Sequence, residues 1–208
     1  LPWAARLAGV LAVASLAASL KSDGYEGDML PRLRWRWQAE DEDRARRYFA
    51  ETAPRGEPSQ PGGFVSEPGA SEPPMSAWPE FRGFNRDGRV KLESAGFKRD
   101  WQADPPRLLW RHPVGLGWSS FCVDGRRAFT QEQRDDREVV SCYDLFTGEP
   151  IWVHADTARF QESMGGDGPR ATPTWSNGRI HALGATGILN CLDAGSGELV
   201  WSVDVLKD

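Results

Sequence analysis

The chain has 208 residues, 39% of them hydrophobic, with 25 basic against 30 acidic side chains and a net charge of −5, which suits one modest domain with flanking segments. Without a basic excess it lacks the electrostatic footprint of a nucleic-acid binder. Its three cysteines, Cys122, Cys142 and Cys191, cannot all pair and none stands in C-x-x-C or vicinal spacing, which argues against a disulfide framework and against a cysteine zinc site.

Residues 7–20, L-A-G-V-L-A-V-A-S-L-A-A-S-L, are an uninterrupted run of small apolar residues after Arg6. With residues 1–5 the segment approaches the roughly 20 residues that span a bilayer. Two expectations stand side by side for residues 1–20: a transmembrane helix, or the apolar part of a signal-like segment ending near Ala18. The chain opens on Leu1 rather than Met, which suggests upstream sequence. Lys21, Arg32, Arg34 and Arg36 follow the apolar run and by themselves favour a cytoplasmic carboxyl side, so charge leaves the orientation open.

Residues 21–51 are expected to be a juxtamembrane segment. Arg and Trp alternate up to Trp37, as near a lipid–water boundary; a nucleic-acid role for so short a stretch in an acidic chain is disfavoured. Glu40 to Ala50 reads as a short charged helix with Glu40–Arg44, Glu42–Arg46 and Asp43–Arg47 at i,i+4, a solvated face. Residues 52–77 are rich in Pro, Gly, Ser and Glu and are expected to be a disordered linker.

The folded part begins near Trp78 with an aromatic, turn-rich lead-in, W-P-E-F-R-G-F-N-R-D-G. Arg107 to Arg111 reads as an isolated outer strand carrying Trp110. Two units of four strands follow, over residues 118–155 and 171–204, with hairpin turns at Asp124-Gly125 and Asn177-Gly178. Pro150 falls in a fourth strand, which suits an edge because proline cannot donate to a ladder. The units repeat: C-Y-D-L-F-T-G-E-P-I-W over Cys142 to Trp152 returns as C-L-D-A-G-S-G-E-L-V-W over Cys191 to Trp201, offset by 49 residues. In each copy Asp144 or Asp193 starts a turn that closes on Gly148 or Gly197, and the next strand ends in Trp152 or Trp201. Four-stranded units near this period are the mark of propeller blades. The cysteines, at one repeat position, read as small buried strand residues.

The pattern A-x-D-x-x-T-G-x-x-x-W resembles the tryptophan-docking motif of the PQQ-binding-like (quinoprotein-type) β-propeller repeat proteins, the superfamily of pyrroloquinoline quinone (PQQ) alcohol dehydrogenases and of BamB-like assembly factors. Cys142 and Cys191 stand where that family has Ala, Ser196 where it has Thr, and Phe84 where the lead-in has Pro. Trp78 to Gly88 and Gly166 to Pro173 are similar to this group as well. The resemblance implies an all-β fold: a partial β-propeller of two four-stranded blades plus the isolated outer strand, preceded by an N-terminal apolar helix and the linker. It assigns Trp110, Trp152 and Trp201 to packing between blades rather than to a ligand platform. Two blades do not close a ring of the usual four to eight, so a fragment of a longer propeller is expected.

Strand alternation sends the tight turns to one end of each unit and the longer connections, residues 134–137 and 156–170, to the other. Long loops on a rigid scaffold carry function, which makes Glu132, Arg134, Asp136, Glu162, Asp167 and Arg170 the candidate functional face. Each has a plainer reading. M-G-G-D-G-P, Met164 to Pro169, has backbone amides for an anion but lacks G-K-[ST] and serves as a chain reversal. Glu162 and Asp167 lack calcium-loop spacing, Arg170 suits a structural ion pair, and His112, His154 and His181 have no metal-ligand spacing.

Two functions are expected from different classes. The first is a non-catalytic protein-interaction scaffold, tethered to the bacterial cytoplasmic membrane with the propeller in the periplasm. It needs no cofactor, and its partners are envelope proteins and, through the N-terminal segment, the membrane. The alternative that the resemblance implies is a PQQ- and calcium-dependent alcohol or sugar dehydrogenase. No adjacent cysteine pair of the kind many such dehydrogenases carry is present.

Overall fold

The computed structural model describes residues 2–25, 30–38, 41–52, 77–90, 100–162 and 165–207. The first element, α1 (Trp3–Ala18), has 16 residues and buries none of them. At 1.5 Å rise per residue it reaches about 24 Å, short of the ~30 Å hydrocarbon core, and no described helix is long and apolar enough to cross a membrane. Of the segment expected over 1–20 as a transmembrane helix or signal-like run, the described residues form this 16-residue apolar helix. Its end is set by Ser19, whose hydroxyl and amide both turn back onto the Leu16 carbonyl.

The juxtamembrane stretch is not simply an extended boundary segment. It pairs with itself as an antiparallel hairpin of β1 (Leu20–Tyr25) and β2 (Pro31–Trp35), in register Lys21↔Arg34 and Ser22↔Leu33. Alternation of basic and apolar residues is also the period of a strand, and Pro31 sits at the strand start, where its missing donor is tolerated. Trp35 and Trp37 stack at 4.9 Å.

Helix α2 (Asp41–Glu51) follows. Of its expected ion pairs, Glu40–Arg44 lies outside the described residues. Arg46 instead meets Asp43 at 3.1 Å and reaches Asp135, while Glu42 meets Arg159 at 3.5 Å. The helix is not a solvated rod, because Ala45 is only 3% exposed. Of the linker expected over 52–77, residues 53–76 lie outside the described residues.

The rest is antiparallel β-structure. Strands β3 (Cys122–Asp124), β4 (Arg127–Arg134), β5 (Arg137–Asp144) and β6 (Pro150–Thr157) form one four-stranded sheet in sequence order. Strands β7 (Thr174–Ser176), β8 (Arg179–Leu183), β9 (Ile188–Asp193) and β10 (Leu199–Asp204) form the second. Pro150 opens β6 at an irregularity in its pairing with β5, on the sheet's edge, as proline requires. The expected strand at 107–111 does not form. Those residues pair with no strand, and Leu108 and Leu109 are exposed.

One shared core joins the two sheets. Phe129, Val140, Cys142 and Trp152 of the first meet Ile180, Ala182, Leu192 and Ala194 of the second. The innermost strands β3 and β7 lie side by side, and the lead-in spans them: Trp78 pairs with Val123, and Pro79 accepts the Trp175 amide at 2.7 Å. Repeated four-stranded sheets stacked face to face with inner strands together make the arrangement propeller-like. The three cysteines are free and buried.

Candidate functional site

The repeated motif builds two equivalent turns. Asp144 accepts the Phe146 and Thr147 amides on Oδ1, each at 2.9 Å, and Arg126 at 2.5 Å on Oδ2. Asp193 does the same with Gly195 at 3.0 Å, Ser196 at 3.1 Å and Arg179 at 2.6 Å. Burial pushes each carboxyl up, but the turn amides and the arginine more than reverse it, so both carboxyls sit below the ordinary carboxylate range. The two arginines were not anticipated. Their signal is shared, since each directly follows the glycine of a hairpin turn, at Gly125 and Gly178.

Each turn closes on a positive-φ glycine against which an indole lies. Trp110 covers Gly148 and donates to the Leu145 carbonyl at 2.8 Å; Trp152 covers Gly197 and donates to the equivalent Ala194 carbonyl at 3.2 Å. Trp110 thus lies on this turn although its segment forms no strand. Trp201, at the same repeat position, is 44% exposed with its ring 6.0 Å from His181.

At the opposite end the expected loop face is partly rearranged. Glu132 is not a surface residue: it is 2% exposed. Its Oε1 accepts from Arg134 at 2.5 Å, Ser141 at 2.7 Å and Tyr143 at 2.9 Å, and its Oε2 takes the Gly115 amide. Burial, followed by the Glu132 charge, pushes the Tyr143 phenol above its ordinary value. Strand β4 is buried on both faces from Ala128 to Gln133, so Glu132 is covered on the face it shares with Ala128 and Thr130 instead of lying on the loop. Arg134 is half-buried, its guanidinium 3.4 Å above the Phe49 ring of α2.

Asp136 is exposed at the tip of the β4–β5 turn, apart from the other candidates. The contacts fall to its neighbour Asp135, at φ +51°, which binds Arg46 through its side chain and Arg159 through its carbonyl. Glu162, Asp167 and Arg170 do come together. Arg170 meets Glu162 at 3.3 Å and the Gly166 carbonyl at 2.8 Å, Asp167 takes Arg159 at 3.0 Å, and the Glu162 amide reaches Asp167 at 3.4 Å.

These contacts decide what the loop can do. The Gly165 amide is bound by Glu162 at 2.8 Å and the Gly168 amide by the Phe160 carbonyl at 3.1 Å, which suits the chain reversal expected there rather than an anion cradle. Met164 lies outside the described residues. For calcium, Glu162 and Asp167 already face arginines, and no group of three His, Cys, Asp or Glu among the described residues could hold a metal ion. His112 stacks on Tyr48 and Trp110, His154 stands 3.7 Å from Asp156, and His181 faces Trp201; the three do not converge.

Two further features escaped sequence reasoning. Glu138, at the start of β5, reaches across to the second sheet, accepting the Ala185 amide at 2.8 Å and the Thr186 hydroxyl at 3.0 Å. Asn190 donates to Asp156 at 2.5 Å beside it. These contacts link residues far apart in the chain, and no local pattern announces them.

Among solved structures, the chain is similar to a europium-containing methanol dehydrogenase, with 19% identity and a TM-score of 0.36 over 47% of this chain and 18% of that one. It is also similar to BamB from Moraxella catarrhalis, with 20% identity and a TM-score of 0.28 over 43% of this chain and 22% of that one. The chain thus spans about a fifth of the length of either. No protein-family profile matches it, and no curated protein does.

Proposed function

We propose that the protein is a non-catalytic interaction scaffold built on propeller-like sheets, with its partners among the proteins of the bacterial envelope. The observation that carries this reading is the composition of the long-loop end. Its charged groups close on one another, Glu132 on Arg134, Asp167 on Arg159 and Glu162 on Arg170. What faces outward beside them is Trp118, 68% exposed, with its indole N–H fixed on the Gly165 carbonyl at 2.6 Å. A rigidly held, exposed aromatic on a braced loop is the kind of anchor on which protein interfaces depend.

The reading includes attachment to the cytoplasmic membrane with the sheets in the periplasm. It is supported by α1, which is apolar on nearly every side and buries nothing; such a helix needs an apolar environment from elsewhere. Its length suits insertion into one leaflet or continuation of a longer apolar segment.

Cross-linking of the full chain in bacterial envelope extracts tests this. A partner captured by the native chain and lost with Trp118→Ala, but kept with Asp136→Ala, is the expected result. Equal capture by all three overturns the assignment to this end, and a dye-linked alcohol oxidation that depends on added PQQ and Ca²⁺ overturns the non-catalytic reading.

A further inference from the structure

The two sheets carry the same positions but different covers. In the second sheet the flank bearing Ile180, Ala182, Asn190 and Leu192 is buried against the first sheet. Matching Cys191 to Cys142 and following the strand register, the equivalent flank of the first sheet carries Ala128, Thr130, Ser141 and Tyr143. These are just as buried, yet among the described residues no sheet lies over them. A column of aromatic rings does. Trp110 stacks on His112 at 5.0 Å, His112 tilts over Tyr143 at 5.0 Å, and Tyr48 of α2 stacks on His112 at 4.7 Å. Helix α2 then continues along the flank, Phe49 under Arg134 and Arg46 on Asp135.

We propose that this flank is a helix-docking surface, that α2 holds it in cis, and that α2 is a displaceable strap taking the place a neighbouring sheet takes on the second unit. The occupant is defined by its chemistry: a short helix with Glu42 in its first turn for Arg159, Arg46 in its middle for Asp135, and a Tyr-Phe pair in its last turn for His112 and Arg134.

Three observations make the strap displaceable. Its ion pair to Asp135 is about half exposed on both partners, and exposed pairs hold weakly. Ala45 is its one buried residue among residues 42–51. A cavity of about 240 Å³ remains beneath it, lined by Ala45, Arg46, Phe49, Gly115, Gln133 and Arg134, so its underside is incompletely packed. An isolated helix of 11 residues is marginal in water, so α2 holds its shape only while docked. Release therefore unwinds it and uncovers the flank in one step, and the flank can be covered by α2 or by another sheet but not by both.

The test is a thiol lock in the full chain, Arg46→Cys with Asp135→Cys bridged by a short bifunctional maleimide, because side chains that meet end to end leave their β-carbons too far apart for a direct disulfide, the native thiols being buried. An intrachain bond in monomeric protein is expected. Dimers linked by the maleimide would place the helix on a second copy and overturn docking in cis, as would no cross-link at all. Hydrogen exchange of residues 44–50 is then compared in locked and unlocked protein, with amides of β5 and β9 as the control for folding. Exchange about tenfold or more faster when unlocked is expected of a segment that opens locally. Equal rates would make α2 a permanent part of the fold and overturn the strap. In a second variant, Ala45→Arg, exchange of 44–50 rises by a similar factor while β5 and β9 keep their protection; unchanged exchange overturns the docking. The inference does not rest on the scaffold reading, and a failed capture experiment leaves it standing.

Discussion

The indole of Trp152 lies so close on Gly197 that a methyl group added there would stand 2.6 Å from its Cδ2 and Cε3 atoms, and Gly197 holds φ +77°. Trp110 and Gly148 repeat the relationship at 2.5 Å and φ +73°. Gly148→Ala and Gly197→Ala meet both a backbone penalty and an overpacked ring, so each is expected to cost about 2–4 kcal/mol in denaturant unfolding. Trp152→Ala removes a buried indole and should cost about 3–5 kcal/mol, whereas Trp201→Ala, with its ring half in solvent, should cost under about 1 kcal/mol. Equal losses at Trp152 and Trp201 would contradict the packing described.

The turn aspartates make stability sensitive to acid. Asp144 and Asp193 have carboxyls held below their ordinary range, so their stabilisation is fully present above the unfolded value near 3.9 and is lost as pH falls through the folded value. Urea midpoints are expected to hold between pH 7 and 5 and to drop below about pH 4. Asp144→Asn with Asp193→Asn should lower the neutral midpoint and flatten the acid limb; an unchanged limb would remove these groups from the account.

Glu132 lies in a buried charged network. Glu132→Ala strands the Arg134 guanidinium, the Ser141 hydroxyl and the Tyr143 phenol and is expected to cost about 3–5 kcal/mol. Tyr143→Phe removes one hydrogen bond and should cost about 1–2 kcal/mol. A Glu132→Ala loss no larger than that of Tyr143→Phe would place the carboxylate outside the network.

Burial pushes the Cys122 thiol up to about 12 and raises that of Cys142 above its ordinary range. With the thiolate suppressed and access blocked, a thiol reagent at pH 8 is expected to label neither residue in the folded chain. Both should react at the rate of unfolding in denaturant. Prompt labelling of Cys142 without denaturant would contradict the packing of the shared core.

How much was legible in the sequence follows local range. The D-x-x-[ST]-G turns, the hairpin glycines and Pro150 at an edge were readable, because each is set by a few adjacent residues with particular φ angles or donors. The long-loop end was readable only in part. Glu162, Asp167 and Arg170 meet because they share one loop, but Glu132 goes inside because both faces of its strand are covered, and Asp135 rather than Asp136 carries the contacts.

The chain by itself determined that two like units exist and where each turns, since period and turn chemistry are local properties. Tertiary structure alone decided that α2 lies on the first sheet, that Glu138 clasps the second, and that Trp110 docks without a strand around it. Those contacts join segments tens of residues apart, and such partners are selected by the shape and charge of surfaces that exist only once the sheets have formed.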